Sequence, residues 1–194
     1  MTKFNSVVLT ALCALTIPGC LADEAAPDPD QASAPTAPDT STATQAVTTG
    51  PFFMRNSGTG MCLQPQVESM GEAIIVQSPC RNIFDPLVDA QLWSFSPSIS
   101  TGVYRIVNQR SSLCMYFNGQ KIEDGTPLVQ TGCNSTSNEM WKPSATPPDL
   151  MTVMSRLGVR DTGFCMEEAF AFDGWPLNVR QCNGSSVQTF NVTF

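Results

Sequence analysis

Six cysteines and two adjacent glutamates are the residues of this chain best placed to do chemistry. Cys62 and Cys80, Cys114 and Cys133, and Cys165 and Cys182 lie 17 to 19 positions apart within each pair. An even set at recurring spacing reads as a disulfide framework, and therefore as an exported protein in an oxidising compartment. Many connectivities are open to six cysteines, and only the symmetry of the spacing favours pairing within each pair. A loop of this length stabilises by roughly 3 kcal/mol per bridge in the chain-entropy model. Zinc is the rival reading, but it needs short C-x-x-C-like or histidine spacings, and the sequence has neither.

Glu167 and Glu168 invite comparison with the carboxylate pair of a glycosidase. Neighbouring residues of a strand point to opposite faces, so these two do not flank one bond. The chain has no histidine, which removes Ser-His and Cys-His nucleophile systems and histidine metal sites. It has no G-x-S-x-G elbow and no phosphate loop. The expectation is a protein that is not an enzyme and holds no cofactor or metal. With 17 acids against 10 bases there is no basic track for phosphates, which argues against nucleic acid.

The elements that must position these residues repeat three times. Each cysteine pair is followed by a polar-x-aromatic tripeptide: Gln91-Leu92-Trp93, Glu139-Met140-Trp141 and Gln188-Thr189-Phe190. A unit of about 50 residues seen three times is one supersecondary motif in triplicate. An apolar residue stands eight before the first cysteine of each unit (Met54, Ile106, Leu157). Asn56 and Asn108 stand six before it, whereas the third unit has Val159 and a differently built turn. Gly71, Gly125 and Gly174 precede the second cysteines, and Asp124-Gly125 and Asp173-Gly174 are strong tight-turn signals. Short β-rich runs follow, residues 73–76 and 127–129, and no window holds a helical period. The fold class is all-β.

The N-terminal 50 residues belong to a different regime. Residues 7–17 form an apolar run behind a single charge, Lys3, too short to span a bilayer and suited to a signal peptide. Ile17-Pro18-Gly19-Cys20 resembles a bacterial lipobox, departing from it at Pro18, and implies residues 1–19 as signal and Cys20 as the lipidated N-terminus. The competing reading is cleavage after Ala22. Membrane contact is then expected only through the N-terminal lipid. Residues 20–50 are rich in Pro, Ala and Thr, carry five acids and no base, and read as a disordered linker. The folded domain is residues 51–194.

The repeated cysteine pair, hairpin glycine and Gln-x-Trp together resemble the ricin-type β-trefoil lectin domains. The resemblance covers nearly all of residues 51–194, and implies a pseudo-threefold barrel of six strands capped by three hairpins. Trp93, Trp141 and Phe190 are then core residues. A family sugar site has Asp two after the first cysteine, an aromatic two before the second, and Asn directly before the Gln-x-Trp. Those positions hold Gln64, Ser78 and Ala90 in the first unit, Tyr116, Thr131 and Asn138 in the second, and Glu167, Arg180 and Val187 in the third. The sugar sites are therefore degenerate. Candidate carbohydrate contacts are Glu167, Trp175 and Arg180 within one hairpin, plus Asn138. Trp175 is expected at the surface and Phe170 and Phe172 packed inward, while Glu168 reads either as part of a polyol site in this hairpin or as a solvated charge.

The function implied is an exported, lectin-like protein whose partner is a glycan or glycoconjugate. Lipid anchoring at a bacterial surface competes with plain secretion. The alternative is a scaffold or cell-binding subunit of a multi-subunit toxin, since the tether and degenerate sites resemble cytolethal distending toxin binding subunits. Ten residues separate Cys80 from Gln91, against five in the other units. This insertion is expected to plug the barrel end, or else to present Phe84 and Leu87 to a protein partner.

Overall fold

The computed structural model describes residues 48–98, 100–144, 153–157, 160–168 and 170–194, with the backbone alone at 153–157, 160 and 161. The signal, Cys20 and most of the linker, as well as Val159, lie outside the described residues.

Among the described residues twelve strands fall into three sets of four. The first set is β1 (Thr49–Asn56), β2 (Cys62–Pro65), β3 (Ala73–Ser78) and β4 (Leu92–Pro97). The second is β5 (Tyr104–Asn108), β6 (Cys114–Phe117), β7 (Thr126–Thr131) and β8 (Trp141–Pro143). The third is β9 (Val153–Leu157), β10 (Arg160–Glu167), β11 (Asn178–Gln181) and β12 (Phe190–Thr193). The first and fourth strands of the sets pair antiparallel in the order β12–β1–β4–β5–β8–β9. The second and third strands form hairpins: β2 with β3, β6 with β7, β10 with β11. The hairpins also pair with each other, through β3 with β7, β7 with β11, and a bridge from Val76 to Pro176. This is the threefold architecture implied by the repeats, a β-trefoil.

The three disulfides close within the repeats, Cys62–Cys80, Cys114–Cys133 and Cys165–Cys182. Trp93, Trp141 and Phe190 are fully buried and meet in one core with Leu63, Met115 and Met166. A buried indole needs an acceptor for its N–H. Trp93 Nε1 donates to the Leu63 carbonyl and Trp141 Nε1 to the Met115 carbonyl, each at 3.0 Å. Leu63 and Met115 each follow the first cysteine of their repeat; Phe190 has no such donor to offer Met166.

The asparagines before the first cysteines join neighbouring repeats. Asn56 Oδ1 accepts from the Gly58 and Thr59 amides, while its Nδ2 donates to the Val187 carbonyl at 2.8 Å. Asn108 does the same for Arg110 and Ser111, and donates to Ala90 at 2.9 Å. Val187 and Ala90 each stand directly before the Gln-x-aromatic motif, so these amides tie that motif to the next repeat.

Three expectations need correction, and the first hairpin is turned differently from the other two. Phe170 and Phe172 do not pack inward but are 52% and 65% exposed. The loop after Cys80 does not plug the barrel, because Ile83 and Phe84 are 63% and 87% exposed and Leu87 is no more than half-buried. Gly71 does not supply the left-handed turn of the first hairpin: Val67 and Glu68 carry the positive φ there, whereas Gly125 and Gly174 do so in the other two. Glu168 is buried, not solvated; its Oε2 accepts from Thr59 Oγ1 at 2.6 Å while Oε1 has no partner. Burial pushes its carboxyl up to about 8, with the Thr59 hydrogen bond opposing the shift.

Candidate functional site: three clefts between repeats

The polar residue of the Gln-x-aromatic motif sets the position two after the first cysteine in the first and third repeats. Gln91, Glu139 and Gln188 each use Oε1 to accept the backbone amide following the second cysteine, at 2.8, 2.9 and 2.8 Å. Glutamate at position 139 keeps this role because the role needs only an acceptor. Gln91 Nε2 then donates to Gln64 Oε1, and Gln188 Nε2 to Glu167 Oε2, both at 2.9 Å. Glu139 has no such donor, and the second repeat has Tyr116 instead. There Asn138 Nδ2 donates to Tyr116 Oη at 3.0 Å and to the Gly119 carbonyl at 2.8 Å. Asn138 thus positions Tyr116, with its amide engaged inside the protein.

Glu167 and Arg180 are brought together. Glu167 is 8% exposed, and its Oε1 lies 3.1 Å from Arg180 Nε. Both line an open cavity of about 270 Å³ with Asp124 and Asn183. Trp175 does not line that cavity. It is 41% exposed, as a surface position requires, and its ring lies 5.1 Å from Phe170 and 6.4 Å from Phe172. Its backbone is tied to the first repeat, with the Gln77 amide donating to the Trp175 carbonyl. The single-hairpin constellation of Glu167, Trp175 and Arg180 is therefore divided between two places.

Each hairpin turn carries a carboxylate that reaches the next repeat. Glu72 Oε1 accepts from Thr131 Oγ1 at 2.6 Å. Asp124 Oδ1 accepts from the Gln181 amide at 2.7 Å, and Asp173 Oδ1 from Ser78 Oγ at 2.7 Å. The relation is cyclic: first repeat to second, second to third, third to first. Thr131 and Ser78 occupy the position two before the second cysteine, and Gln181 the position directly before it. The carboxylates thus enter the very places checked for sugar contacts, from a neighbouring chain segment. Sequence reasoning missed them as site residues, although each adjoins a hairpin glycine: Glu72 beside Gly71, Asp124 beside Gly125, Asp173 beside Gly174.

The three clefts differ in charge. The first, about 390 Å³, includes Gln64, Ser78, Asp173 and Arg81. Arg81 is already paired with Glu68 and with Asp85, whose carboxyl is lowered chiefly by the Leu87 amide and further by Arg81. The third contains the Arg180–Glu167 pair. The second, also about 390 Å³, holds Glu72, Tyr116, Asn118, Thr131 and Asn134 with Ile74 and Val129 along it, and has no cation among its lining residues. Among the described residues no group of three or more Cys, Asp or Glu is placed to hold a metal, and no helix is long and apolar enough to cross a membrane.

Residues 89–169 match the family model described as ricin-type beta-trefoil lectin domain-like. No curated protein matches the chain by sequence. Among solved structures, a designed threefold-symmetric protein, ThreeFoil, superposes with a TM-score of 0.64 at 17% identity, covering 75% of this chain and 99% of its own. The C-half of an earthworm R-type lectin, solved with GalNAc, gives 0.55 at 12% identity over 73% of this chain and 96% of its own. The Polyporus squamosus lectin, solved with a Neu5Acα2-6Galβ1-4GlcNAc epitope, gives 0.57 at 17% identity over 74% of this chain and 48% of its own. The described residues fold as a β-trefoil, and residues 89–169 carry the signature of a ricin-type β-trefoil lectin-like domain.

Proposed function

We propose that this protein is an exported, lectin-like carbohydrate-binding protein. The observation that carries the reading is that each repeat keeps an open cleft, with polar side chains in its lining, at the positions where the lectin family places its sugar, although the family's own contact residues are largely replaced. Carboxylates, amides and hydroxyls in one shallow cavity match the alternating donors and acceptors of a polyol. The earthworm and Polyporus structures, both solved with sugars, support the same class of ligand. Three clefts on one domain suit clustered glycans, where avidity compensates for weak single sites.

The role is binding rather than catalysis. The absence of histidine supports this, as do the different repeats engaged by the two adjacent glutamates, Gln188 for Glu167 and Thr59 for Glu168. The three disulfides support an oxidising, extracellular location. Within it, lipidation at Cys20 and a tether over residues 20–50 hold the domain 51–194 at a surface. The mass of the mature N-terminus tests this part: a diacylated Cys20 supports it, and a free Asp23 contradicts it. Glycan-array binding by the intact chain tests the function itself, and an array without signal contradicts it.

A second reading, a subunit of a multi-subunit toxin, is favoured by one observation. Ile83 and Phe84 are 63% and 87% exposed on a loop anchored by Arg81 to Asp85 and Glu68. A neighbouring reading frame encoding a nuclease that assembles on Phe84 and Leu87 would favour it over the first.

A further inference from the structure

We infer that the second cleft, between the first and second repeats, is the principal sugar site, and that it takes a neutral hexose unit held by Glu72 of one repeat and Tyr116 of the other. The inference rests on the carbohydrate-binding reading above and adds which cleft, which residues and which charge of sugar.

The cleft is built across the repeat boundary. Its floor is the pairing of β3 with β7, in which Ala73 faces Gln130 and Ile74 faces Val129. The turn bearing Glu72 is fixed by Gln130, whose Nε2 donates to the Ser69 and Gly71 carbonyls at 2.9 and 2.5 Å. Gln130 is itself fully buried, and its Oε1 accepts from Ser111 Oγ at 2.8 Å. The Glu72 carboxylate is then oriented by Thr131 Oγ1 at 2.6 Å. An ionised carboxylate has about four acceptor sites, and Thr131 uses one. A carboxylate held in this way is preorganised for two adjacent sugar hydroxyls.

In the same cleft, Tyr116 Oη accepts from Asn138 and keeps its own proton to donate. The exposed Asn118 amide adds a donor and an acceptor. Ile74, 38% exposed, and the Tyr116 ring supply apolar surface for the C–H face of a sugar. A cavity of about 390 Å³ lies at the lower end of the range typical of small-molecule sites.

Charge separates this cleft from the other two. The guanidinium of Arg81 or Arg180 already engages carboxylates there. In the second cleft the Glu72 carboxylate faces no cation among the lining residues, so it is available to hydroxyls and repels sialylated or sulfated sugars. The chain's net charge of −7 acts in the same direction.

The test is titration of the full chain with the methyl glycosides of galactose, N-acetylgalactosamine, glucose, N-acetylglucosamine and mannose, followed by amide chemical shifts. At least one binds, with changes centred on Ile74, Asn118 and Val129. Glu72→Ala weakens it tenfold or more and Glu72→Gln by less, and a sialylated counterpart binds more weakly than its neutral parent. Shift changes centred on Gln181 and Asn183, or binding that survives Glu72→Ala and is lost in Arg180→Ala, overturn this assignment and leave carbohydrate binding standing. If neither these probes nor a glycan array bind the wild-type chain, both are overturned.

Discussion

Ser78 Oγ donates to Asp173 Oδ1 across 2.7 Å, joining residues 95 positions apart in the first and third repeats. The same hairpin is clasped by Gln77, whose Nε2 donates to the Phe170 and Phe172 carbonyls. With Gln130 and Thr131 gripping the first hairpin in the same way, inter-repeat contact is built from recurring polar pairs as well as from the shared core. Asp173→Ala leaves Ser78 without its partner in a part-buried place. It should lower unfolding stability by about 1–2 kcal/mol, read as a reduced urea midpoint with unchanged slope.

The indole donors make a second prediction. Trp141→Phe removes the 3.0 Å hydrogen bond to the buried Met115 carbonyl while leaving a ring in the core. The loss should be about 1–3 kcal/mol. Phe190→Ala, which empties the equivalent place in the third repeat, should cost about 3–5 kcal/mol. Thermal unfolding of the two variants checks the order.

How far the sequence reaches is clear from these residues. Cysteine spacing and the trailing Trp93, Trp141 and Phe190 made the threefold β fold legible, because burial and cross-linking recur with the repeat. The clefts were not legible, because a repeat pattern does not say which hairpin meets which strand. Glu72, Asp124 and Asp173 acquire their place only when the hairpins pair in a ring. The place of Glu168 is not legible for a related reason: it lies just past β10, where strand alternation no longer assigns a face. Phe170 and Phe172 sit in the connection between β10 and β11, beyond the layer where apolar type implies burial.

Glu168 gives a pH prediction. Burial holds its carboxyl at about 8 in the folded protein against the usual 4.5, so the unfolded chain loses this proton first. Its contribution is therefore complete below about pH 4.5, declines as the pH rises, and levels off above about pH 8. The difference in urea midpoint between wild type and Glu168→Gln should widen in favour of the variant across this window. A difference independent of pH would show that Glu168 is ionised throughout.

Val67 gives a prediction on backbone strain. It is 82% exposed and holds φ at 50°, a conformation that β-branched residues disfavour. Val67→Asn, which tolerates the left-handed region, should raise stability by about 0.5–1 kcal/mol. A higher melting temperature supports the turn as described, and a lower one contradicts it.

The central claim is that this trefoil binds sugar through clefts whose carboxylates come from neighbouring repeats. Its most direct test is calorimetric titration of the full chain, wild type and Glu72→Ala, with the best neutral glycan from an array. The account predicts saturable binding by the wild type and a tenfold or greater loss in the variant, with circular dichroism unchanged. Equal affinity in the two proteins, or no heat from the wild type, would contradict it.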